Sequence, residues 1–337
     1  MQHATQHIDD EDNEQAACSI IIFMLSSMAD DGEQIEAADR LLCCASCGIA
    51  EIDDVELVPC DGCDLVKYCG DDCQKNHWSQ HKEACKKRAA ELRDELLFKQ
   101  PESSHHGDCP ICCLPLSLDH LKSRLMACCS KVICIGCEHA NMKREKELRL
   151  QHSCPFCREP VPKITNGHLL QNMKRVAMND PNAMCFAGVL QYKKGDYDGA
   201  FQYFTKAAEL GDAEAHFRLS DMYYRGRGIE KDERKAIHFM EEAAISGHHD
   251  ARYNLGWNEN ENGNAERAAK HWIIAATLGD DDSIKALMQA FKEGFVNKQD
   301  LATALRAHQA AVDATKSPQR LEAEEYYRIL KEERGLC

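Results

Sequence analysis

Cysteine placement constrains this chain more than any other feature. Of its 20 cysteines, 17 lie in the 115 residues from Cys43 to Cys157. Two settings give such density: secreted scaffolds stapled by disulfides, and intracellular sites whose thiolates bind metal. A signal peptide opens on basic residues, whereas this chain opens MQHATQHIDDEDNE, which is acidic. The apolar run Ile20 to Leu25 is far shorter than the roughly 20 residues that cross a bilayer. The expectation is a membrane-free chain of the reducing interior, cytoplasmic or nuclear, whose thiols hold metal.

Charge narrows the partners. The net charge of −15 argues against general binding to nucleic acid or to an anionic membrane. It is uneven: residues 1–40 carry ten acids and one Arg, while 101–165 carry nine Lys and Arg against seven acids. Residues 1–42 form an acidic N-terminal segment, disordered over 1–17, with a helix expected within Ile20–Leu42. A first Cys/His cluster occupies 43–86. A helix over Lys86–Phe98 and the linker PESSHHGD fill 87–108, a second cluster fills 109–160, and a linker runs through 161–180.

Beyond Asp180 cysteine nearly vanishes and a repeat begins. AAELGDAEA (207–215), AAISGHHDA (243–251) and AATLGDDDS (275–283) align with Gly211, Gly247 and Gly279 in register, at periods of 36 and 32. A period in the 30s with two amphipathic stretches per unit marks a helix-pair solenoid. The alanine pairs Ala207-Ala208, Ala243-Ala244 and Ala275-Ala276 suit close helix approach, and the glycines suit left-handed helix ends. The segment AEAHFRLSDMYYRGRGIEKDERKAIHFMEEAAISGH resembles the Sel-one-like repeat, a relative of the tetratricopeptide repeat. Ala215, Leu219, the Gly226-x-Gly228 turn, Ala243-Ala244 and Gly247 carry the resemblance; Ser220 stands where that family has Gly. About three and a half repeats fill 181–315, and a capping helix is expected in 316–337.

The first cluster reads Cys44-x2-Cys47, Cys60-x2-Cys63, Cys69-x3-Cys73, His81-x3-Cys85. Four pairs of soft or borderline ligands suit two four-coordinate zinc ions, and the x3 pairs have the spacing of a helical turn. With Tyr68 before Cys69 and Trp78 between the last pairs, the segment resembles a MYND finger. That resemblance implies one zinc on Cys44, Cys47, Cys69 and Cys73, and another on Cys60, Cys63, His81 and Cys85, leaving Cys43 over. It also implies a shallow peptide groove at Gln74 and Trp78. Asp61 replaces the Ser frequent at a third groove position, which departs from the pattern for Pro-x-Leu-x-Pro ligands. Trp78 equally suits packing against the second zinc.

The second cluster has three clear pairs: Cys109-x2-Cys112, Cys134-x2-Cys137 and Cys154-x2-Cys157. It is similar to a RING finger, except that Lys131 stands where a histidine ligand is usual. Cys129-x4-Cys134 matches the gap of all-cysteine variants, with Cys128 and Cys129 as ligands three and four. Vicinal thiolates on one ion demand an unusual backbone, so Cys113, His120, His139 and His152 stay in reserve. The resemblance implies one zinc on Cys109, Cys112, Cys134 and Cys137, and another on Cys128, Cys129, Cys154 and Cys157, for four ions per chain. It further implies that Ile111 and Pro155 contact a ubiquitin-conjugating enzyme and that Arg158 bridges to ubiquitin. No covalent catalytic residue is expected.

The fold class is therefore multidomain: two small cross-brace zinc-binding domains plus an all-α helix-pair solenoid. Two functions stand open. One is a RING-type ubiquitin ligase that docks substrate or adaptor through the first finger and the repeats. The other is a non-catalytic scaffold for protein or peptide ligands. A methyltransferase of the SET type is disfavoured, since no Asn-His-x-Cys stretch occurs.

Overall fold

The computed structural model describes residues 43–49, 51, 56–162 and 165–333. The expectations for residues 1–42 lie outside the described residues. The chain divides into two units, Met1–Leu96 and Leu97–Cys337. Among the described residues no helix is long and apolar enough to cross a membrane.

In the first unit, strands β1 (Val58–Pro59) and β2 (Lys67–Tyr68) pair antiparallel, with Val58 opposite Tyr68. Helix α1 then runs Asp71–Leu97. It starts well before Lys86, where the sequence reading places it, because nothing between 71 and 97 breaks a helix and Asp71 and Asp72 complement its N-terminal dipole. Arg88 on α1 grips Asp64 through two hydrogen bonds of 2.7 and 2.9 Å, tying the helix to the loop between the strands.

The second cluster opens the second unit's folded elements. A hairpin of β3 (Ser123–Met126) and β4 (Lys131–Cys134) leads into helix α2 (Ile135–Glu147). Helix α3 (Thr165–Val176) follows inside the segment read as a linker. Asn172, on α3, is buried and donates to the carbonyl of Ala183.

Four helix pairs come next. They are α4 (Pro181–Lys194) with α5 (Tyr197–Glu209), and α6 (Ala213–Arg225) with α7 (Glu233–Ile245). Then come α8 (His249–Glu261) with α9 (Ala265–Thr277), and α10 (Asp281–Lys292) with α11 (Lys298–Ala314). The first helix of each pair is capped by one side chain that accepts a backbone N–H three residues on. These caps are Asp180, Asp212, His248 and Asp280, and they recur with the repeat. The residue before each of the last three is Gly211, Gly247 or Gly279, all with φ between 84 and 98°. The six paired alanines are buried, as close helix packing requires.

Close approach also explains Ser220. A Cβ on Gly188 would lie 2.7 Å from Phe204, and one on Gly256 would lie 2.3 Å from Trp272. Ser220 holds the same register in the second repeat, where the partner helix carries Met240 in place of the aromatic ring. A flexible thioether leaves room for a side chain there.

The last helix, α12 (Pro318–Glu333), packs on α2 of the second finger. Arg320 is buried and donates to the carbonyls of Pro115 (2.6 Å), Leu114 (3.0 Å) and Thr315 (2.8 Å) and to Cys112 Sγ (3.3 Å). Tyr326 lies against His139, with ring centroids 4.5 Å apart. Lys143–Glu322 and Lys122–Glu324 pairs flank the contact.

Candidate metal centres

The structure gathers four quartets of ligand atoms, each within 4.8 Å of one another. They are Cys44, Cys47, Cys69 and Cys73; Cys60, Cys63, His81 and Cys85; Cys109, Cys112, Cys134 and Cys137; and Cys128, Cys129, Cys154 and Cys157. Tetrahedral zinc with bonds of about 2.3 Å to sulfur places its sulfurs about 3.8 Å apart. The observed separations include Cys47–Cys69 at 3.6, Cys60–Cys85 at 3.8, Cys109–Cys137 at 3.9 and Cys112–Cys134 at 3.8 Å. Cys63 Sγ lies 3.2 Å from His81 Nε2. The donor sets fit a soft, four-coordinate ion with no position left for water, a structural arrangement.

Electrostatics points the same way. A hydrogen bond from Cys134 brings Cys109 down to about 4, while Cys134 is itself driven up by that bond and by burial. In the first finger, hydrogen bonds with Cys73 and Cys47 push Cys69 up to about 12. Four crowded thiols cannot all ionise without a cation among them, so loading each cluster releases protons.

Three of the eight ligands in the first finger, Cys73, His81 and Cys85, ride on α1. His81 and Cys85 sit one turn apart and face the strand loop. Cys69 precedes the helix, so Cys69-x3-Cys73 spans the helix start and is not the helical turn that its spacing suggests. Gly62 is required by contact, since a Cβ there would lie 2.9 Å from Cys85 Sγ. Trp78 points outward, 42% exposed, which excludes packing into the core. Gln74 is half-buried and donates to Cys60 Sγ at 3.9 Å, so one end of it serves the cluster.

The second finger shows how adjacent cysteines reach one centre. Ala127–Ser130 form the tight turn between β3 and β4, with Ser130 in the left-handed region (φ 54°) and its N–H bonded to Met126 O at 2.8 Å. Within that turn Cys128 Sγ comes 3.4 Å from Cys157 and Cys129 Sγ 3.9 Å from Cys154. The knuckles at Cys109 and Cys154 share one design. The residue after the second cysteine has positive φ (Cys113, 55°; Arg158, 65°) and its N–H returns to the first cysteine's carbonyl.

None of the reserve ligands joins these quartets. Cys113 and His120 are exposed, His139 lies tilted against Tyr326, and His152 Nδ1 lies 2.8 Å from Glu145. Lys131 is exposed on β4.

The three expected contact residues diverge. Ile111 is 40% exposed. Pro155 is buried and lines a cleft of about 200 Å³ with Met126, Pro160 and His168, so it is not open to a partner; its neighbour Phe156 is 43% exposed instead. Arg158 is exposed, but its Nη1 donates to Asn141 Oδ1 at 2.7 Å.

Asn141 belongs to a network that the spacing did not reveal. Buried Glu145 accepts from Asn141 Nδ2, Ser153 N and Ser153 Oγ. Burial raises its carboxyl, but hydrogen bonds from His152, Ser153 and Asn141 outweigh it and hold the group at about 2. The network fixes α2 against the Cys154 knuckle.

The MYND finger profile matches residues 44–85, and the Sel1 repeat profile matches 181–212, 213–248 and 249–280. The chain carries a MYND finger and three Sel1 repeats. MYND fingers bind zinc, and together with the repeats this one makes a zinc-containing protein of protein–protein interaction. DAP3-binding cell death enhancer 1 of Mus musculus is 27% identical over 175 residues, 40% of this chain and 34% of that protein. Putative beta-lactamase HcpC of Helicobacter pylori is 37% identical over 60 residues, 18% of this chain and 21% of that protein. The chain thus covers about a third or less of these relatives. A Sel1 repeat protein from Oxalobacter formigenes is similar at 29% identity, covering 36% of this chain and 97% of that one, with a TM-score of 0.33. A protective antigen of uropathogenic Escherichia coli displaying an SLR fold is similar at 22% identity, covering 49% and 37%, with a TM-score of 0.35.

Proposed function

We propose that the second finger is a RING-type module holding zinc in both quartets, and that the chain, with four zinc ions in all, is a ubiquitin ligase. The observation that carries this reading is the interleaving of ligand pairs, first with third and second with fourth, around a hairpin and one helix. Such a finger does no covalent chemistry. It holds a charged conjugating enzyme so that its thioester is set for attack, which is catalysis by positioning. Ile111 and Phe156 offer the apolar contact, and Arg158 offers a planar fork of donors for the enzyme and ubiquitin. The MYND finger, through Gln74 and Trp78, and the repeats would dock substrate or adaptor.

The test is discharge of ubiquitin from charged conjugating enzymes onto free lysine. The intact chain should accelerate it, and Ile111→Ala and Arg158→Ala should each abolish the acceleration. No acceleration across a broad enzyme panel, with the zinc bound, would overturn the reading. A second reading, a non-catalytic scaffold, is favoured by the burial of Pro155 and the hold of Asn141 on Arg158. It expects that null result together with peptide binding that Trp78→Ala weakens.

A further inference from the structure

The segment between α1 and the second finger is not a free linker. His105 N–H donates to Gly247 O at 3.0 Å, and a Cβ on Gly247 would lie 2.6 Å from Ser103 O. Residues 103–105 therefore lie along the junction of the second and third repeats. This placement lays the His105 ring on that of His248, with centroids 4.1 Å apart and planes 7° apart.

His248 stands where the other repeats have an aspartate cap. Its Nε2 lies 3.0 Å from Glu214 Oε2, and the same oxygen lies 3.9 Å from His105 Nε2. The three ligand atoms are all within 4.8 Å of one another.

Two facts show that this cluster is incomplete as it stands. The His105 side chain is only 8% exposed, yet its Nδ1 has no hydrogen-bond partner among the described residues, and 3.9 Å is too long for a bond at Nε2. A buried imidazole nitrogen without a partner calls for an ion or a water. Secondly, the charges suit a cation. Burial and the neighbouring imidazoles take His105 down to about 2, so it is neutral with a free lone pair. Burial raises Glu214, but the His248 hydrogen bond and Arg218 outweigh it and keep the carboxylate ionised.

We propose that His105, Glu214 and His248 form a fifth metal site, of nitrogen–oxygen type, that takes zinc or a similar borderline divalent cation and clamps residues 103–105 to the repeat junction. Two imidazoles and one carboxylate are a ligand set for such ions, with a fourth position left for water. Binding has a cost. His248 Nδ1 accepts from Ala251 N–H at 3.3 Å, which puts its proton on Nε2. A cation at Nε2 sends that proton to Nδ1, gives up the long cap bond and opens the ring stack. The site is therefore weaker than the thiolate quartets.

The test uses the full chain with its fingers loaded with zinc, titrated with cobalt(II). Cobalt does not outcompete zinc at thiolate sites, so added ion reports on other ligands. One equivalent should bind with a visible spectrum free of sulfur-to-cobalt charge transfer. His105→Ala, a loop change that leaves the helices intact, and the isosteric Glu214→Gln should each weaken binding at least about tenfold, the loss that even an outer-shell change brings. His238→Ala, on an exposed helix face, should leave it unchanged. Absence of the extra equivalent, sulfur bands in its spectrum, or equal binding by His105→Ala would each overturn the proposal.

Discussion

The fingers and the repeats solve the same problem with opposite means. In the first finger the buried apolar cluster among the described residues is Cys44, Cys60, Cys63 and Cys85 with Leu57 and Tyr68 beside them. In the second it is Cys109, Cys134, Cys137 and Cys154 with Leu116 and Ile133. The ligands are the core. The repeats hold Phe204, Leu219, Met222, Trp272 and Leu287 amid alanines, a core of hydrocarbon. Segments of some 45 to 50 residues cannot bury enough apolar surface to fold alone, whereas stacked helix pairs share theirs with neighbours. One half of the molecule thus depends on an ion and the other on shape.

Chelation tests that contrast most severely. Removing zinc takes away on the order of 10 kcal/mol per structural site, so residues 43–85 and 109–160 should lose hydrogen-exchange protection while 181–314 keeps it. Simultaneous loss in the repeats would break the comparison. Cys129→Ala narrows the effect to one quartet. It should drop one ion and unfold the second finger, whereas Cys113→Ala should retain full zinc content by mass spectrometry.

The reverse lesion is Trp272→Ala, expected to cost the repeats about 3–5 kcal/mol in thermal or urea unfolding with zinc content unchanged. Glu145→Ala strands the Asn141 amide and the Ser153 N–H, at about 2 kcal/mol. Its effect should appear as easier extraction of zinc from the second finger alone.

The smallest change is Asp212→Asn. Burial lifts the Asp212 carboxyl to about 6, only partly offset by the bonds from Ala215 N–H and Cys185. A folded value above the unfolded one means that stability is complete below about pH 4 and declines as pH rises through about 6. The amide keeps a cap without the charge. It should therefore stabilise the repeats at pH 7 by about 1 kcal/mol or less, and the gain should vanish near pH 4 in paired melts.

What the sequence revealed was whatever is written in short spacing. Pairs of cysteines two or three residues apart declare themselves, and the structure draws them together into the quartets that the family resemblances implied. The Gly211, Gly247 and Gly279 register declared the helix pairs. Misread were features set by what lies far along the chain. Helix α3 looked like a linker because its apolar side chains are sparsely covered: Leu169, Leu170 and Met173 remain exposed. The docking of 103–105 depends on Gly247, more than 140 residues away. Pro155 looked like a contact residue because its motif is local, but the structure buries it. Cys128 and Cys129 needed a turn geometry that adjacency alone does not specify.

Arg320 carries a consequence for the order of events in synthesis. It seals the first knuckle of the second finger through Leu114, Pro115 and Cys112, and its backbone lies so close that a Cβ on Gly136 would meet its Cα at 3.0 Å. The finger's own residues end near 160, so a ribosome moving at about 5–20 residues per second delivers this arginine roughly 10–30 s later. Throughout that interval the nascent finger has its ligands but lacks its lid. Carbonyls that the mature protein hides are then open to water, to chaperones and to any competing chain.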